Sequence, residues 1–166
     1  MDSLTDLAAQ LGAALNALGA QVSTAESCTG GGIAEAITRV AGSSAWFEVG
    51  FVTYSNTQKT RQLGVPEAFF DEVGAVSREV VEAMARGAQQ VSGARFSVAV
   101  SGVAGPGGGS PDKPVGTVWL AWAAGDDLFS RRCQFPGDRQ AVREQTVRAA
   151  LVGLIRLCAG ENPLQD

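Results

Sequence analysis

The sequence lacks histidine and is poor in several other residues that carry chemistry. Its 166 residues include two lysines, three cysteines and one tyrosine, against eleven arginines. Without histidine, a Ser-His-Asp triad is impossible and no zinc-binding pattern of cysteine and histidine can be drawn. The cysteines Cys28, Cys133 and Cys158 are odd in number and widely spaced, so they do not form a disulfide framework. We therefore expect neither a metal site nor a cofactor.

An excess of positive charge is also missing. The net charge is −4, and the sequence contains no basic run and no basic strip rich in aromatic residues, which argues against a nucleic-acid partner. The N-terminal segment carries early acidic residues and no basic region, unlike a signal peptide. No apolar run approaches the ~20 residues that a membrane-spanning helix needs. We expect a cytoplasmic protein that binds neither nucleic acid nor membranes.

What is present is a composition typical of one globular domain, which we assign to residues 1–166. Hydrophobic residues make up 45% of the chain and charged residues 18%, which suits a compact core. Periodicity predicts helices over 3–18 and 32–42, strands over 20–27, 43–55 and 94–102, a hairpin across Gly125–Asp127 and a last helix that starts at Asp138. This pattern predicts an α/β fold, a three-layer α/β/α domain on a mixed sheet.

The stretch "AESCTGGG" (25–32) joins the first strand to a helix and places two nucleophiles before three glycines. A glycine loop at the start of a helix exposes backbone N–H groups that suit a phosphate or an oxyanion. The alternative is that the glycines only form a tight turn and let the helix pack on the sheet. Ser27 and Cys28 are the candidate nucleophiles of this stretch.

Ser27 needs a base, because a hydroxyl is a weak nucleophile at neutral pH. A buried lysine is the standard alternative to histidine, since burial lowers its pKa. Lys59 lies just past the second strand as Ser27 lies just past the first, and ligands gather where the carboxyl ends of neighbouring strands open. Tyr54 ends the second strand, where its hydroxyl can relay a proton or orient the lysine. The alternatives are a solvated surface lysine and a half-buried sheet tyrosine.

Cys28 is the rival nucleophile. A thiolate at a helix N-terminus is acidified and is intrinsically more reactive than a serine hydroxyl. A cysteine at such a position is as often a small buried hydrophobic residue. The sequence leaves both interpretations open.

Two further segments are candidates for nucleotide binding. The Gly/Pro-rich loop "SGVAGPGGGSPDKPVG" (101–116) follows the third strand, and its amides and Ser101 suit phosphate or ribose oxygens. In "FPGDR" (135–139), Arg139 at the start of the last helix is a candidate bidentate phosphate clamp. The alternatives are a purely structural loop and a surface arginine that pairs with Asp138 or Glu144.

Five motifs in this order resemble the CinA C-terminal domain family, which includes stand-alone nicotinamide mononucleotide (NMN) deamidases. They are "AESCTGG", "VTYSNTQK", "GAVS", "SGVAGPGGG…KPVGTV" and "FPGDR…VR", and the resemblance runs from about Leu4 to Cys158. It implies an anticodon-binding-domain-like three-layer fold. It also implies hydrolysis of the NMN carboxamide to nicotinic acid mononucleotide and ammonia, in pyridine nucleotide recycling, without a metal.

The same resemblance implies roles for individual residues. Ser27 matches the nucleophile, Lys59 its base and Tyr54 the assisting hydroxyl. Thr29 and Gly30 match oxyanion or substrate-anchoring groups, and with Gly31 they complete the amides that we expect to hold the oxyanion. Nucleotide-contacting motifs are matched by Gly102, Ala104, Gly105 and Arg139.

Two features depart from the family pattern. Ser101 stands where many members have threonine, a change that keeps the hydroxyl, and the N-terminal pyrophosphatase-type domain of longer members is not in this sequence. The expected function is thus a serine–lysine amidohydrolase with a small nucleotide as substrate. The alternatives are a non-catalytic nucleotide-binding module and a thiol amidase that uses Cys28. A homodimer is the candidate assembly, with the apolar last helix or the N-terminal helix in its interface.

Overall fold

Six helices and five strands make up the fold of residues 1–165, which the computed structural model describes. In chain order they are α1 (Leu4–Leu18), β1 (Val22–Glu26), α2 (Gly32–Thr38), β2 (Phe47–Val52), α3 (Asn56–Leu63), α4 (Ala68–Glu72), α5 (Arg78–Ser92), β3 (Phe96–Gly102), β4 (Thr117–Ala124), β5 (Asp127–Gln134) and α6 (Arg139–Cys158). A short 3-10 turn at Ser43–Ala45 precedes β2.

The four longer helices begin at N-cap side chains that accept a hydrogen bond from a backbone N–H of the first turn. The caps are Ser3 for α1, Ser55 for α3, Ser77 for α5 and Asp138 for α6. Such caps satisfy N–H groups that have no partner within the helix. They fix where these helices begin, and for α3 and α6 that point lies beside the candidate site.

The strands form one mixed sheet in the order β2-β1-β3-β4-β5. β1 pairs in parallel with β2 and β3, whereas β3–β4 and β4–β5 are antiparallel. The carboxyl ends of the three parallel strands therefore meet at one edge of the sheet. The starts of β4 and α6 come to the same edge, because β4 runs opposite to β3.

Helices cover both faces of the sheet. One core cluster joins α1, α2 and α6 to the sheet through residues such as Leu11, Ile33, Val98 and Leu151. The other joins α3 and α5 to it through Leu63, Met84, Ala25 and Ala99. We call these the α6 side and the α5 side of the sheet. The predicted three-layer α/β/α fold on a mixed sheet is confirmed.

Several predicted boundaries are wrong for local reasons. The second strand, expected over 43–55, is confined to Phe47–Val52, because the 3-10 turn takes its start and Ser55 caps α3. The second helix ends at Thr38 rather than at residue 42. The start of the last helix at Asp138, which caps it, and the hairpin across Gly125–Asp127 are confirmed. Across residues 1–165, no helix combines the length and the apolar character needed to cross a bilayer.

Candidate active site

Ser27 lies directly after β1 at the edge where the parallel strands end. Its N–H donates to the carbonyl of Val100 at 3.1 Å, and the N–H of Thr53 donates to the carbonyl of Glu26 at 2.9 Å. These bonds extend the pairing of β1 with both neighbours by one residue. The chain around Ser27 is thereby held by β2 and by β3.

Alternation along the strands assigns Ser27 and Ser101 to the α5 side. Ala25 and Ala99, two residues earlier in their strands, pack in the α5-side cluster, and every second residue of a strand faces the same way. Ser27 is 8% exposed and Ser101 is 2% exposed. Two hydroxyls are thus buried next to each other at the strand ends, on the side of the sheet that carries α3.

Lys59 lies on α3 and its side chain is 1% exposed. Its Nζ donates to the backbone carbonyl of Tyr54 at 3.0 Å. Close packing of α3 on α5 depends on Gly87, where a Cβ would lie 2.0 Å from the carbonyl oxygen of Leu63. The lysine is held inside the protein by a main-chain acceptor.

Burial lowers the pKa of the Lys59 ammonium below its ordinary value of 10.5. The negative charge that Cys28 carries as a thiolate acts in the opposite direction and raises this pKa, by less than burial lowers it. Desolvation disfavours a charged amine, so part of the lysine population is neutral at a lower pH than for a lysine in water. The amine lies on the α5 side of the sheet, because α3 packs there through Leu63, and this is the side to which Ser27 is assigned. Lys59 therefore fits the part of a base for Ser27.

Cys28 packs in the α6-side cluster and is 5% exposed. Burial raises the pKa of its thiol to about 12; the Glu26 carboxylate adds to this, whereas Arg143 and Lys59 act in the opposite direction. A thiol with such a pKa is protonated at neutral pH, and the thiol is not the nucleophilic form. Cys28 matches the buried hydrophobic alternative of the sequence analysis.

A buried carboxylate closes the turn from Ser27 to Gly31. Glu26, fully buried, accepts hydrogen bonds from the Thr29 hydroxyl at 2.5 Å and from the N–H groups of Ile33 and Ala34 at 2.7 and 3.0 Å. The start of α2 is thus occupied by the chain's own carboxylate. Sequence reasoning missed Glu26, although an acidic residue at the end of an otherwise uncharged strand was a signal.

The remaining amides of the turn differ in what they can bind. The N–H of Gly30 donates to the carbonyl of Ser27 at 3.0 Å, so this one of the three expected oxyanion donors is already used. Within residues 1–165 the N–H groups of Thr29 and Gly31 have no acceptor. Gly31, the N-cap residue of α2, makes no side-chain cap bond.

Tyr54 and Arg139 contact each other across the edge. The Tyr54 side chain is 58% exposed, and its hydroxyl accepts a hydrogen bond from Arg139 at 3.1 Å. A second nitrogen of the same guanidinium donates to the carbonyl of Gly105 at 2.8 Å. Tyr54 therefore meets Lys59 through its carbonyl and Arg139 through its hydroxyl, and Arg139 does not pair with Asp138 or Glu144.

The Gly/Pro-rich loop is shaped by close contacts that leave no room for side chains. A Cβ at Gly102 would lie 2.6 Å from a methyl group of Val118, and one at Gly105, whose φ is +81°, would lie 2.4 Å from Val115. Ala104, between them, is buried. The glycines bring the loop against β4, and their backbone, rather than any side chain, is what they offer to a ligand.

A cavity of about 940 Å³ opens on the α6 side of this edge. Its walls come from α1, α2, the Gly/Pro-rich loop and the first turns of α6, and among the predicted residues it contains Thr29, Ala104 and Arg139. Ser27 and Lys59 do not line it. The structure thus divides the predicted residues between a buried α5-side pair and an α6-side cavity, with the turn 27–31 between them.

Arg143 joins the cavity to the turn, and sequence reasoning missed it too. Its guanidinium lines the cavity and donates to the carbonyl of Thr29 at 3.1 Å, while its buried Nε has no hydrogen-bond partner. It follows Arg139 by four residues on α6, a spacing that places both on one helix face, and this spacing was the available signal. In residues 1–165 no group of three or more histidine, cysteine or acidic side chains is arranged to hold a metal.

Comparison with known proteins places this chain in a family. The model of the CinA C-terminal domain matches residues 4–158. The chain is 74% identical over 157 residues to nicotinamide-nucleotide amidohydrolase PncC of Pseudomonas putida, covering 95% of this chain and 98% of that protein. It is 55% identical over 150 residues to the Escherichia coli K12 protein of the same name, covering 89% and 90%.

Solved structures agree with the sequence relatives. The competence/damage inducible protein CihA of Agrobacterium tumefaciens superposes with a TM-score of 0.92 at 46% identity, covering 95% of this chain and 96% of that one. A CinA superfamily protein of Klebsiella pneumoniae gives a TM-score of 0.92 at 37% identity, covering 96% and 99%. The fold, the motifs and these relatives agree, and the chain belongs to the CinA C-terminal domain family.

Proposed function

We propose that this chain hydrolyses the carboxamide of NMN to nicotinic acid mononucleotide and ammonia, with Ser27 as nucleophile and Lys59 as base. The name of the relatives that are 74% and 55% identical supports the nicotinamide-nucleotide amidohydrolase activity. The observation that carries the mechanism is the burial of the Lys59 amine, 1% exposed, on a helix that packs on the α5 side of the sheet, where Ser27 is assigned.

In the first step neutral Lys59 accepts the proton of the Ser27 hydroxyl as the serine oxygen attacks the carboxamide carbon. The bond from Nζ to the Tyr54 carbonyl uses one N–H of the amine, and the lone pair of the neutral amine remains free to accept a proton. A base held near its operating protonation state by burial is what general base catalysis requires.

The tetrahedral oxyanion then needs donors on the turn. The free N–H groups of Thr29 and Gly31 fit this part, and each well-placed donor contributes about 3–4 kcal/mol to stabilisation of the transition state. The Gly30 amide, bound to the Ser27 carbonyl, holds the turn in shape. Gly30 therefore contributes through the turn rather than as a donor.

In the second step protonated Lys59 gives its proton to the departing nitrogen, which leaves as ammonia, and an acyl-enzyme ester remains on Ser27. Water, deprotonated by neutral Lys59, attacks this ester; the bond to the Ser27 oxygen breaks, that oxygen takes the proton back from Lys59, and nicotinic acid mononucleotide is released. The Tyr54 hydroxyl accepts a hydrogen bond from Arg139, which leaves its own O–H as the donor with which it would assist.

The nucleotide part of the substrate is assigned to the α6-side cavity. Its volume of about 940 Å³ is within the range of small-ligand sites. The phosphate would lie against Arg139 and the part of the Gly/Pro-rich loop that lines the cavity, at Ala104 and Pro106. Ser101, on the α5 side, is then left to contact the substrate from the side of Ser27. Nicotinamide riboside, which lacks the phosphate, is then a poor substrate.

Ammonia release from NMN tests the assignment in the wild type and in Ser27→Ala, Lys59→Ala and Cys28→Ala. We expect Ser27→Ala and Lys59→Ala to lose roughly 10³-fold or more in kcat, as removal of a nucleophile or its base does, with Cys28→Ala close to wild type. Arg61→Met, an exposed cation on the same helix as Lys59, is the matched control.

Each other pattern identifies an alternative. A nucleotide-binding module binds NMN but shows no turnover in any variant, including the wild type. A thiol amidase loses its activity with Cys28 alone. Equal turnover of NMN and the riboside would contradict the phosphate site.

A cytoplasmic location, a part in pyridine nucleotide recycling and a homodimer are further proposals. A nucleotide phosphate is charged and does not cross a bilayer unaided, which supports an enzyme on the side where the nucleotide is made. Cell fractionation tests the location, and light scattering of the purified protein tests the dimer.

A further inference from the structure

We propose that Glu26 is a positioning residue, whose buried carboxylate sets the geometry of the turn that carries Ser27. This inference rests on the proposed function of Ser27. It concerns a different residue and a different task, because Glu26 touches neither substrate nor base in the proposed mechanism.

The start of α2 differs from those of the four longer helices. They are capped by the residue that precedes them, whereas the N-cap of α2 is Gly31, which makes no side-chain cap bond. The carboxylate of Glu26, at the end of the preceding strand, acts as the cap instead. It accepts hydrogen bonds from the N–H groups of residues seven and eight positions later. A local Ser or Asp cap would satisfy the helix without closing the turn. The arrangement used here closes the turn around Ser27 and Cys28.

Burying a carboxylate is costly, so the arrangement calls for a compensating contact. Within residues 1–165 no cation forms an ion pair with Glu26; the one ion pair there joins Arg39 and Glu35. Compensation comes from the helix dipole and from three donors, of which the Thr29 hydroxyl at 2.5 Å belongs to the turn itself. The turn and the start of α2 thus stabilise the buried carboxylate, and the carboxylate in return fixes their conformation.

Bonds from both sides of the turn make it rigid. Glu26 binds the side chain of Thr29 from the core, and Arg143 on α6 binds the carbonyl of the same residue from the cavity. Ser27 lies between Glu26 and Thr29, with its own N–H fixed to Val100. Loss of the carboxylate therefore frees the nucleophile and the Thr29 amide together, without removing either.

Glu26 also keeps the neighbouring cysteine unreactive. Its negative charge contributes to the raised pKa of the Cys28 thiol, beside the larger effect of burial. One side chain thus favours the serine in two ways, by fixing its position and by disfavouring the competing thiolate.

The test is Glu26→Gln, which keeps the size and one acceptor oxygen but places an NH₂ group against donors. We expect kcat for NMN to fall about 10-fold or more while KM changes less than about twofold, since a positioning loss acts on the reacting groups and not on nucleotide binding. The matched control is Glu48→Gln, which removes the same charge from an exposed position on β2 and is expected to behave as wild type.

A second measurement does not depend on NMN. The rate at which a small fluorophosphonate modifies Ser27, read by mass spectrometry, reports the geometry of the nucleophile directly. We expect this rate to fall about 10-fold in Glu26→Gln and to be unchanged in Glu48→Gln. Should Glu26→Gln fail to fold, Thr29→Val deletes one of the three bonds and Thr29→Ser restores it, so the labelling rate is expected to fall in the first and recover in the second.

The outcomes separate the two proposals. If the wild type is not labelled at Ser27 and does not release ammonia, the proposed function fails. If the wild type is active and labelled but folded Glu26→Gln matches it in kcat and labelling rate, with only its melting temperature lowered, Glu26 is a structural cap and the positioning proposal is overturned. The same holds if Thr29→Val is labelled as fast as Thr29→Ser.

Discussion

The two sides of the sheet edge differ in burial and in charge. On the α5 side, Ser27, Ser101 and Lys59 are all at least nine-tenths buried, and one amine is the only cation among them. On the α6 side, an open cavity is lined by three arginines and three acidic residues, Arg39, Arg139, Arg143, Glu35, Asp138 and Glu144. The buried Ser27 and Lys59 suit a chemical step, because burial shifts the pKa of the lysine. A wide cavity lined by charged side chains suits recognition of an ionic ligand.

This division assigns separate tasks to residues that are neighbours in sequence. Ser27 belongs to one side, Cys28 packs on the other, and Thr29 lines the cavity. The predictions below separate reaction from recognition by changing one side at a time.

Apart from the loss of Ser27 or Lys59 themselves, the largest effect is expected from the cavity side. Arg139→Met should raise KM for NMN by roughly 10- to 100-fold, since a hydrogen bond to a charged group contributes about 1.5–3 kcal/mol, with kcat nearly unchanged. Steady-state kinetics with NMN and with nicotinamide riboside measure it, the riboside serving as the control because it has no phosphate to lose. A fall in kcat for both substrates would show that Arg139 belongs to the reacting side.

The next effect is the pH dependence of the α5 side. Protonated Lys59 cannot accept the serine proton, so kcat/KM should rise with pH, by up to about tenfold per unit, along a limb whose midpoint is the pKa of the free enzyme's lysine. Because burial lowers that pKa, the midpoint should lie below 10.5. A pH–rate profile of the wild type and of Arg61→Met should show the same limb, and a midpoint at or above 10.5 would contradict a desolvated base.

A smaller effect concerns stability. Lys59→Met removes a desolvated charge and should raise the free energy of unfolding at neutral pH by about 1 kcal/mol, or the melting temperature by about 2–4 °C. Between the lowered folded pKa and the unfolded value of 10.5, the unfolded state binds more protons, so wild-type stability rises with pH. The advantage of Lys59→Met should therefore shrink as pH approaches 10.5. Thermal melts across that range measure it, and a constant advantage would contradict the linkage.

The smallest effect on turnover is expected for the residue nearest to the nucleophile. Cys28→Ala should leave kcat within about twofold of wild type, since a thiol with a pKa of about 12 supplies no thiolate at neutral pH. Its cost should appear in stability instead, at about 1 kcal/mol for a buried small side chain. A large loss of turnover in a variant that melts normally would bring Cys28 into the reaction.

Patterns within single segments predicted most of the fold. The strand predicted over 94–102 lies at Phe96–Gly102, and Asp138 does cap the last helix. Rarity among the cations indicated Lys59, and the structure buries its amine on the α5 side of the sheet. Such features depend on residues that are close together along the chain, and these can be read from the sequence.

Contacts between layers could not be derived in the same way. Placing the Tyr54 hydroxyl on Arg139 requires the position of α6 relative to β2, and the two residues are 85 positions apart. The bond between Arg143 and the Thr29 carbonyl depends on the same packing. Glu26 was overlooked because its place at a strand end does not show that the chain turns back and brings the N–H groups of Ile33 and Ala34 to its carboxylate.

The acceptor of the Lys59 amine is a main-chain oxygen, which every amino acid supplies. The ring at position 54 can therefore be exchanged without detaching the lysine, and Tyr54→Phe and Tyr54→Ala remove the phenol while the tether persists. The position of the Lys59 amine therefore depends on the path of the backbone at residue 54, whereas any contribution of the phenol depends on the identity of that one residue.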